Sequence, residues 1–227
     1  MEKWLRILNE LTSPRITPRL EHRIHQEILV KGEEYTHEKA DAYSTGIELM
    51  GKLIMAHHNY TEKHGAFGDM FGDYLALDGS LNPRCGQFLT PIHIAEFIAK
   101  MTLGDKLPDK TQRILDPASG TGRFMLMTAK HYASTTGKLN FIFFNIDIGF
   151  SVYVYCTMNA ILNGIPSVNV WGDSLKMEYT EAVATIPIGK VVMWKMLNKE
   201  GINSIMPQPP PKAKAPKAKA PTLRDFT

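Results

Sequence analysis

The chain has 227 residues, 44% of them hydrophobic and 22% charged, so it can form one sizeable folded domain with an additional segment. No apolar run is long enough to cross a bilayer, and the first four residues lack the basic-then-apolar order of a secretory signal. Cys85 and Cys156 lie far apart, a spacing that favours neither a disulfide framework nor a zinc knuckle. We therefore expect a cytoplasmic protein that does not associate with membranes.

The net charge of +3 is unevenly distributed along the chain. The segment from Gln208 to Thr227 holds five basic residues and one acid, which leaves a net charge of −1 on the remainder. Any non-specific attraction to nucleic acid therefore lies in this segment and not in the folded part. Residues 207–221 are a low-complexity run of Pro, Lys and Ala, which is typical of an extended, disordered tail.

Residues 1–82 are predicted to form a helical N-terminal region. Two sets of residues follow helical spacing, namely Leu20, Ile24 and Ile28, and then Ile47, Met50, Ile54 and His57. Pro14 and Pro18 separate the first helix from the second. A glycine-interrupted segment over residues 65–75 then leads to a turn at Asn82-Pro83.

From residue 83 to residue 200 the pattern changes to alternating helices and strands. Its predicted elements are a helix marked by Ile94, Phe97, Ile98 and Met101, strands over 113–116, 140–147 and 167–173, and helices over 124–132 and 151–163. After Asp173 the pattern weakens, and only 191–194 indicates a further strand. This order predicts an α/β domain with a parallel, doubly wound sheet, followed by a disordered tail over 201–227.

A glycine-rich turn lies between the first predicted strand and its helix, in the run Asp116-Pro117-Ala118-Ser119-Gly120-Thr121-Gly122. Two glycines separated by one residue let the backbone turn sharply and approach a ligand without side-chain hindrance. The amide groups at the start of the following helix can face a carboxylate or a phosphate. A Gly-x-Gly turn alone occurs in many loops that bind nothing, so the flanking strand and helix are what favour a ligand.

Acidic residues end the next two strands, with Asp147 after the second and Asp173 after the third. The carboxyl ends of parallel strands form the ligand crevice of such sheets. An acid after the second strand can accept hydrogen bonds from both ribose hydroxyls, and one after the third can accept from the exocyclic amine of adenine. Each acid alone is also explained as an ordinary strand-end or helix-capping residue. Three acids at successive strand ends favour an adenosine-containing ligand.

Several segments together resemble adenine-N6 DNA methyltransferases of the kind found as modification subunits of type I restriction systems. Residues 86–91 resemble their Gly-Gln-aromatic-x-Thr-Pro motif, and residues 116–122 resemble their Asp-Pro-x-x-Gly-x-Gly loop. Residues 147–164 are similar to their acid-then-helix segment, residues 172–175 to their third motif, and residues 68–75 to the helical approach. The resemblance runs from about residue 68 to residue 175 and implies a Rossmann-like methyltransferase core, a partial parallel sheet preceded by a small helical domain.

The resemblance implies that S-adenosylmethionine is the cofactor and assigns its contacts. Phe88, Thr90 and Pro91 would pack on the methionine side. Asp147 would bind the ribose and Asp173 the adenine amine. The loop formed by Asp116, Pro117, Ala118, Ser119, Gly120, Thr121 and Gly122 would bind the amino acid portion, chiefly through Asp116 and the last four residues. The alternatives are a core aromatic role for Phe88 and a helix N-cap role for Thr90 ahead of Pro91.

One motif of the family is not found. An Asn-Pro-Pro-aromatic motif follows the third motif in these enzymes, at the end of the fourth strand, where it holds the flipped target adenine. The only nearby Pro-Pro sequence, within residues 206–210, lacks both the Asn and the aromatic ring. The catalytic residues are therefore left unassigned. By resemblance the partners are double-stranded DNA and a specificity chain or a second modification chain.

Three functions remain open from the sequence. The first is an adenine-N6 DNA methyltransferase, active through an unusual motif or with a partner chain that supplies the missing part. The second is a non-catalytic, methyltransferase-like binding module. The third is a nicotinamide-dependent oxidoreductase, which is disfavoured because Met125 replaces the third glycine of the dinucleotide fingerprint. We predict no metal site, because His57, His58 and His64 do not form a helical pair with i, i+4 spacing.

Overall fold

The computed structural model describes residues 37–78, 88–104, 106–189 and 191–206, with side chains from residue 48 onward. Predictions for residues 1–36, for the segment 79–87 with Cys85, and for the tail from residue 207 lie outside the described residues. The elements are, in chain order, α1 His37–His64, α2 Met70–Asp78, α3 Ile92–Leu103, β1 Gln112–Asp116, α4 Arg123–Thr136, β2 Phe141–Asp147, α5 Phe150–Leu162, β3 Ser167–Asp173, β4 Glu178–Ile188, β5 Val191–Leu197 and α6 Lys199–Ile205.

The five strands form one mixed sheet in the order β1-β2-β3-β4-β5. The first three strands are parallel and are joined through α4 and α5, as the alternating pattern predicts. The turn at residues 174–177 then reverses the chain, so that β4 and β5 add as an antiparallel extension. The expected doubly wound sheet requires a strand on the outer side of β1, and the described residues place none there. The chain reverses after β3 without a helical crossover, which is why the sheet grows in one direction.

The core lies on both faces of the sheet because strand side chains alternate between the faces. Phe141 and Phe143 of β2 pack with Met125 and Tyr132 of α4 on what we call the helix face. The intervening Phe144 and Ile146 lie in a second cluster on the other face, where residues such as Ile202 of α6 cover the sheet. The predicted boundary at residue 201 falls inside α6.

Helix α3 is present where four apolar residues predict it, but it packs differently from the amphipathic expectation. Those four residues, Ile94, Phe97, Ile98 and Met101, are exposed. The helix buries Ala95 and Ala99 instead, and it packs on α4. Small side chains let two helices approach closely, so the buried alanines decide the orientation of α3.

Helices α1 and α2 form a smaller cluster that packs on α5. Tyr60 of α1 lies in one buried cluster with Phe71 and Tyr74 of α2, and Tyr155 of α5 packs against this cluster. The predicted helical spacing over residues 47–57 lies within α1. No helix in the described part of the chain has the length and apolar character needed to span a membrane.

Candidate functional site

Three acids that end the parallel strands lie on one face of the sheet. The strand register pairs Asp116 with Asn145, and Asp147 with Trp171. Register partners in parallel strands share a face, as do residues two apart on one strand. Asp116, Asp147 and Asp173 therefore all lie on the helix face at the carboxyl edge of the sheet. The last residue of β1 pairs with a residue two positions before the end of β2, and the last residue of β2 pairs with a residue two positions before the end of β3. The three acids therefore form a stepped row.

The glycine-rich turn after β1 depends on two left-handed backbone positions. Gly120 has φ +54° and Gly122 has φ +87°, a region that side chains disfavour. A Cβ atom on Gly120 would lie 3.3 Å from Leu89 Cδ2, and one on Gly122 would lie 2.9 Å from Cys156 Sγ. The left-handed backbone therefore favours glycine at both positions, and the close approach to Cys156 adds a steric reason at Gly122.

Two of the acids hold the turn. Asp147 accepts hydrogen bonds from the backbone N–H of Gly120 and that of Gly149, both at 2.8 Å. Asp116 accepts from the N–H of Ala118 at 3.1 Å. Burial raises the pKa of Asp116, the Ala118 hydrogen bond partly opposes this effect, and the nearby Asp147 charge adds to it. The first two acids are thus coupled to each other and to the turn.

Asp173 is engaged in a turn of its own. Its Oδ1 accepts from the N–H groups of Leu175 and Lys176, both at 3.0 Å, and Lys176 Nζ lies 3.4 Å from Oδ2. The Lys176 N–H, followed by the Leu175 N–H and the Lys176 ammonium, lowers the pKa of this carboxyl. The ordinary strand-end role considered for this acid is therefore present, and it keeps Asp173 ionised at the crevice edge.

A cavity of about 280 Å³ is lined both by the glycine-rich turn and by the chain before α3. Its lining includes eight residues predicted as cofactor contacts, namely Phe88, Thr90, Asp116, Pro117, Ala118, Ser119, Gly120 and Thr121. Four other predicted contacts, Pro91, Gly122, Asp147 and Asp173, do not line it. Its remaining walls are Leu89, Ala95, Ile98, Leu115, Arg123 and Phe124, which the sequence did not indicate.

In the segment before α3, Phe88 and Thr90 do not have the purely structural roles considered for them from the sequence. Phe88 is 77% exposed and therefore is not a core aromatic. The N-cap of α3 is Pro91, with no side-chain capping bond, so Thr90 does not cap this helix. Neither of these residues is accounted for by packing or capping in the described part of the chain.

The first turn of α4 lies beside the cavity. Its N-cap is Gly122, which supplies no side-chain hydrogen bond to the helix amides. The partial positive charge of a helix N-terminus favours an anion there. Because Arg123 and Phe124 begin the helix and also line the cavity, a carboxylate bound in the cavity would lie close to this charge.

A buried polar cluster connects the cavity walls to the helical region, and the sequence analysis did not predict it. Asp69 is 1% exposed and accepts hydrogen bonds from Thr121 Oγ1 and Arg123 Nε, both at 2.6 Å. It also accepts from Asn159 Nδ2 at 2.8 Å and from the N–H of Gly72 at 2.9 Å. The sequence shows only that an acid, Asp69, lies inside the glycine-interrupted segment, and this does not indicate which residues it contacts.

Comparisons with known proteins place the chain in a family. The family model described as N-6 DNA Methylase matches residues 63–220, which is more than two thirds of the chain. The chain belongs to the N-6 DNA methylase family. This confirms the resemblance drawn from residues 68–175: the chain is an adenine-N6 DNA methyltransferase-like protein.

Two known methyltransferase subunits are similar to part of this chain. A type I restriction enzyme methylase subunit, MpnII, from Mycoplasma pneumoniae is 29% identical over 105 residues, covering 46% of this chain and 19% of the relative. A solved type I restriction-modification methyltransferase subunit from Streptococcus thermophilus is 25% identical, with a TM-score of 0.33. The matched region covers 45% of this chain and 22% of that subunit. The chain thus spans about a fifth of the length of these relatives.

The strand after the third methylase motif runs away from the site. β4 pairs antiparallel with β3, and Asp173 lies opposite Glu178. The carboxyl end of β4, Ile188, therefore lies at the opposite edge of the sheet from the three acids. Since an Asn-Pro-Pro-aromatic sequence is also missing from the 227 residues, no catalytic residue is assigned in this chain.

The remaining nucleophilic and metal-binding candidates have structural roles. Cys156 is buried beneath Gly122, and burial raises the pKa of its thiol well above the usual value, with the Asp116 charge adding to the effect. His64 stacks on Tyr60 with ring centroids 4.4 Å apart. Within the described ranges, no three His, Cys, Asp or Glu residues lie close enough together to hold a metal ion.

Proposed function

We propose that this methylase-family chain binds S-adenosylmethionine at the carboxyl edge of β1–β3 and belongs to an adenine-N6 DNA methyltransferase. The observation that carries the proposal is the cavity, because two motif segments far apart in sequence both form part of its wall. One wall segment includes Phe88 and Thr90, and the other consists of residues 116–121. Both segments matched the methyltransferase pattern independently, and the fold brings them together. The proposal includes a Rossmann-like sheet and a cytoplasmic location.

The residues present fit this cofactor. The cavity of about 280 Å³ is close to the lower end of the usual range for ligand pockets, about 300–1,000 Å³, and suits one portion of an extended molecule. Gly120 and Gly122 leave the turn without side chains at its tightest points, and the α4 N-terminus favours a carboxylate. In this arrangement Asp116 and the turn 119–122 would hold the amino acid portion, Asp147 the ribose and Asp173 the adenine amine.

The chemistry follows from the proposed cofactor and substrate. S-adenosylmethionine supplies an electrophilic methyl group, and the substrate would be the N6 amine of an adenine flipped out of double-stranded DNA. In this chain the residues described above bind and orient the cofactor. We assign the groups that accept hydrogen bonds from the target amine to a partner chain, a specificity or second modification chain, because β4 turns away from the site.

The same orientation of β4 favours a second candidate, a non-catalytic methyltransferase-like binding module. Purified chain would be incubated with labelled S-adenosylmethionine and adenine-rich DNA. Label incorporated by the chain alone would refute this module. The nicotinamide alternative has less support, since the buried Met125 accepts a hydrogen bond from Asn145 where that fingerprint needs a glycine for close packing.

The site assignment is tested by an Asp147→Ala variant. The change removes acceptors for the ribose hydroxyls, and a hydrogen bond to a charged group contributes about 1.5–3 kcal/mol. We expect S-adenosylmethionine to bind about 10- to 100-fold more weakly in calorimetry. Asp109→Ala, at an exposed loop position, is the matched control and should bind as the wild type does. Equal affinity in the Asp147 and Asp109 variants would reject the assignment.

A further inference from the structure

Asp69 lies outside the cavity yet contacts two residues of its wall. Its carboxylate is almost fully buried and receives four hydrogen bonds from three separate segments. Two of these bonds come from Thr121 and Arg123, both of which line the cavity, whereas Asp69 does not line it. A side chain that touches no ligand position but holds two wall residues is suited to setting their geometry.

Arg123 extends this connection to the other wall segment, at Thr90. Its Nη1 donates to the backbone oxygen of Thr90 at 3.0 Å, while its Nε donates to Asp69. Its Nη2 donates to Asp73 at 3.0 Å, and Asp73 in turn accepts from the Tyr60 hydroxyl at 2.6 Å. The guanidinium has a fixed, planar arrangement of donors, so the position of Asp69 determines where Thr90 is held.

The space around the Asp69 carboxylate is fixed by the surrounding chain. A Cβ atom at Gly72 would lie 1.9 Å from Asp69 Oδ2 and 2.9 Å from Thr121 Oγ1, so no side chain fits there. Asn159 Nδ2 donates both to Asp69 at 2.8 Å and to the backbone oxygen of Thr121 at 2.9 Å. Helix α5 therefore holds the same turn residue from below, and the carboxylate has one position available.

We propose that Asp69 is a positioning residue that sets the separation of the two cavity walls and thereby controls binding of the amino acid portion of the cofactor. A buried ion pair adds little net stability compared with apolar packing, but it fixes the geometry of its partners. The Asp69–Arg123 pair joins the glycine-rich turn to the segment at Thr90, which are the two walls. The inference rests on the proposed function, because it names which portion of that cofactor depends on Asp69.

The test compares two probes that differ by the amino acid portion. S-adenosylhomocysteine carries it, and 5′-methylthioadenosine lacks it. For full-length Asp69→Asn we expect the affinity for S-adenosylhomocysteine to fall at least tenfold, with the affinity for 5′-methylthioadenosine within about twofold of wild type. A loss of stability alone would weaken both probes alike, so the ratio of the two affinities reports on positioning. Glu181→Gln is the matched control, because it also neutralises an acid that accepts a hydrogen bond from a tyrosine hydroxyl, and Glu181 does not line the cavity, so its ratio should not change.

A second variant covers the case in which Asp69→Asn does not fold. Asn159→Ala removes one donor to Asp69 and the donor to Thr121, while it keeps the Asp69–Arg123 pair. We expect the same selective loss of S-adenosylhomocysteine binding, with a smaller magnitude. Parallel losses of both probes, or no loss, in the folded variants would overturn the inference alone. Failure of the wild-type chain to bind either probe would overturn the proposed function together with it.

Discussion

Replacing Gly122 with alanine tests whether the glycine-rich turn is built as the structure shows. The φ of +87° places alanine in the left-handed region, which costs about 1–2 kcal/mol for a residue with a Cβ. The new Cβ would also lie 2.9 Å from Cys156 Sγ and 3.0 Å from Met125 Cε, and forcing extra atoms into a packed site costs about 1–3 kcal/mol. We therefore expect Gly122→Ala to lower the free energy of unfolding by about 2–5 kcal/mol.

The other end of the same helix offers a matched control. Gly137 has φ +67° at the C-terminal end of α4, but a Cβ there would meet nothing within 4 Å. Gly137→Ala should therefore show only the backbone cost of about 1–2 kcal/mol. A Cys156→Ala background supplies the second comparison. Removal of the sulfur should lower the cost of Gly122→Ala towards that of Gly137→Ala, although the contact with Met125 Cε remains.

Urea denaturation followed by circular dichroism measures these differences, provided that the slope of each transition is unchanged. The contrast between the two glycines separates the steric contribution of Cys156 from the backbone contribution. Equal costs for Gly122→Ala and Gly137→Ala would refute the close packing of the turn on α5. An excess cost of Gly122→Ala over Gly137→Ala that stays unchanged in the Cys156→Ala background would show that the sulfur is not the obstacle.

Two further substitutions probe the site acid and the far end of the sheet. Asp116→Asn should be more stable than wild type at neutral pH, because burial raises the pKa of Asp116 in the folded chain. The gain in stability over wild type should be small below the unfolded pKa of about 3.9 and should grow as the pH rises through the folded pKa. A difference in urea midpoint between the variant and wild type that stays constant with pH would contradict this reasoning. Tyr153→Phe removes a hydrogen bond to Glu181 Oε1 of 2.9 Å and should lower the free energy of unfolding in urea by about 1 kcal/mol. Its affinity for S-adenosylhomocysteine should match wild type, and a large loss of affinity would show that this contact reaches the site.

The sequence predicted those parts of the fold whose signals are local. β3 has the bounds expected from its apolar run, and the turn between β1 and α4 follows from two glycines at fixed spacing. β4 was missed because the chain reverses through Met177, which adopts φ +56° without being a glycine and so gives no turn signal. Pro187 near the end of that strand also weakened its pattern.

The parts of the site that could not be predicted depend on contacts between distant segments. Asp69 and Arg123 are 54 positions apart, and neither residue type alone names its partner. The packing of α3 was misjudged for a related reason, since the large apolar residues indicated the buried side while Ala95 and Ala99 determine it. In both cases a local pattern identifies an element, and only the tertiary arrangement identifies its neighbours.

The stepped ends of β1, β2 and β3 also set the length of any molecule that reaches all three acids. Each step advances two residues along a strand, about 7 Å, and crosses one strand spacing of about 5 Å. Two such steps separate Asp116 from Asp173 by roughly 16 Å along a diagonal of the sheet edge. A compact ligand such as a free nucleobase can contact one end of this row, whereas an elongated ligand is needed to bridge it. Deleting one residue from β2 would move Asp147 to the opposite face of the sheet and divide the row into two unconnected halves.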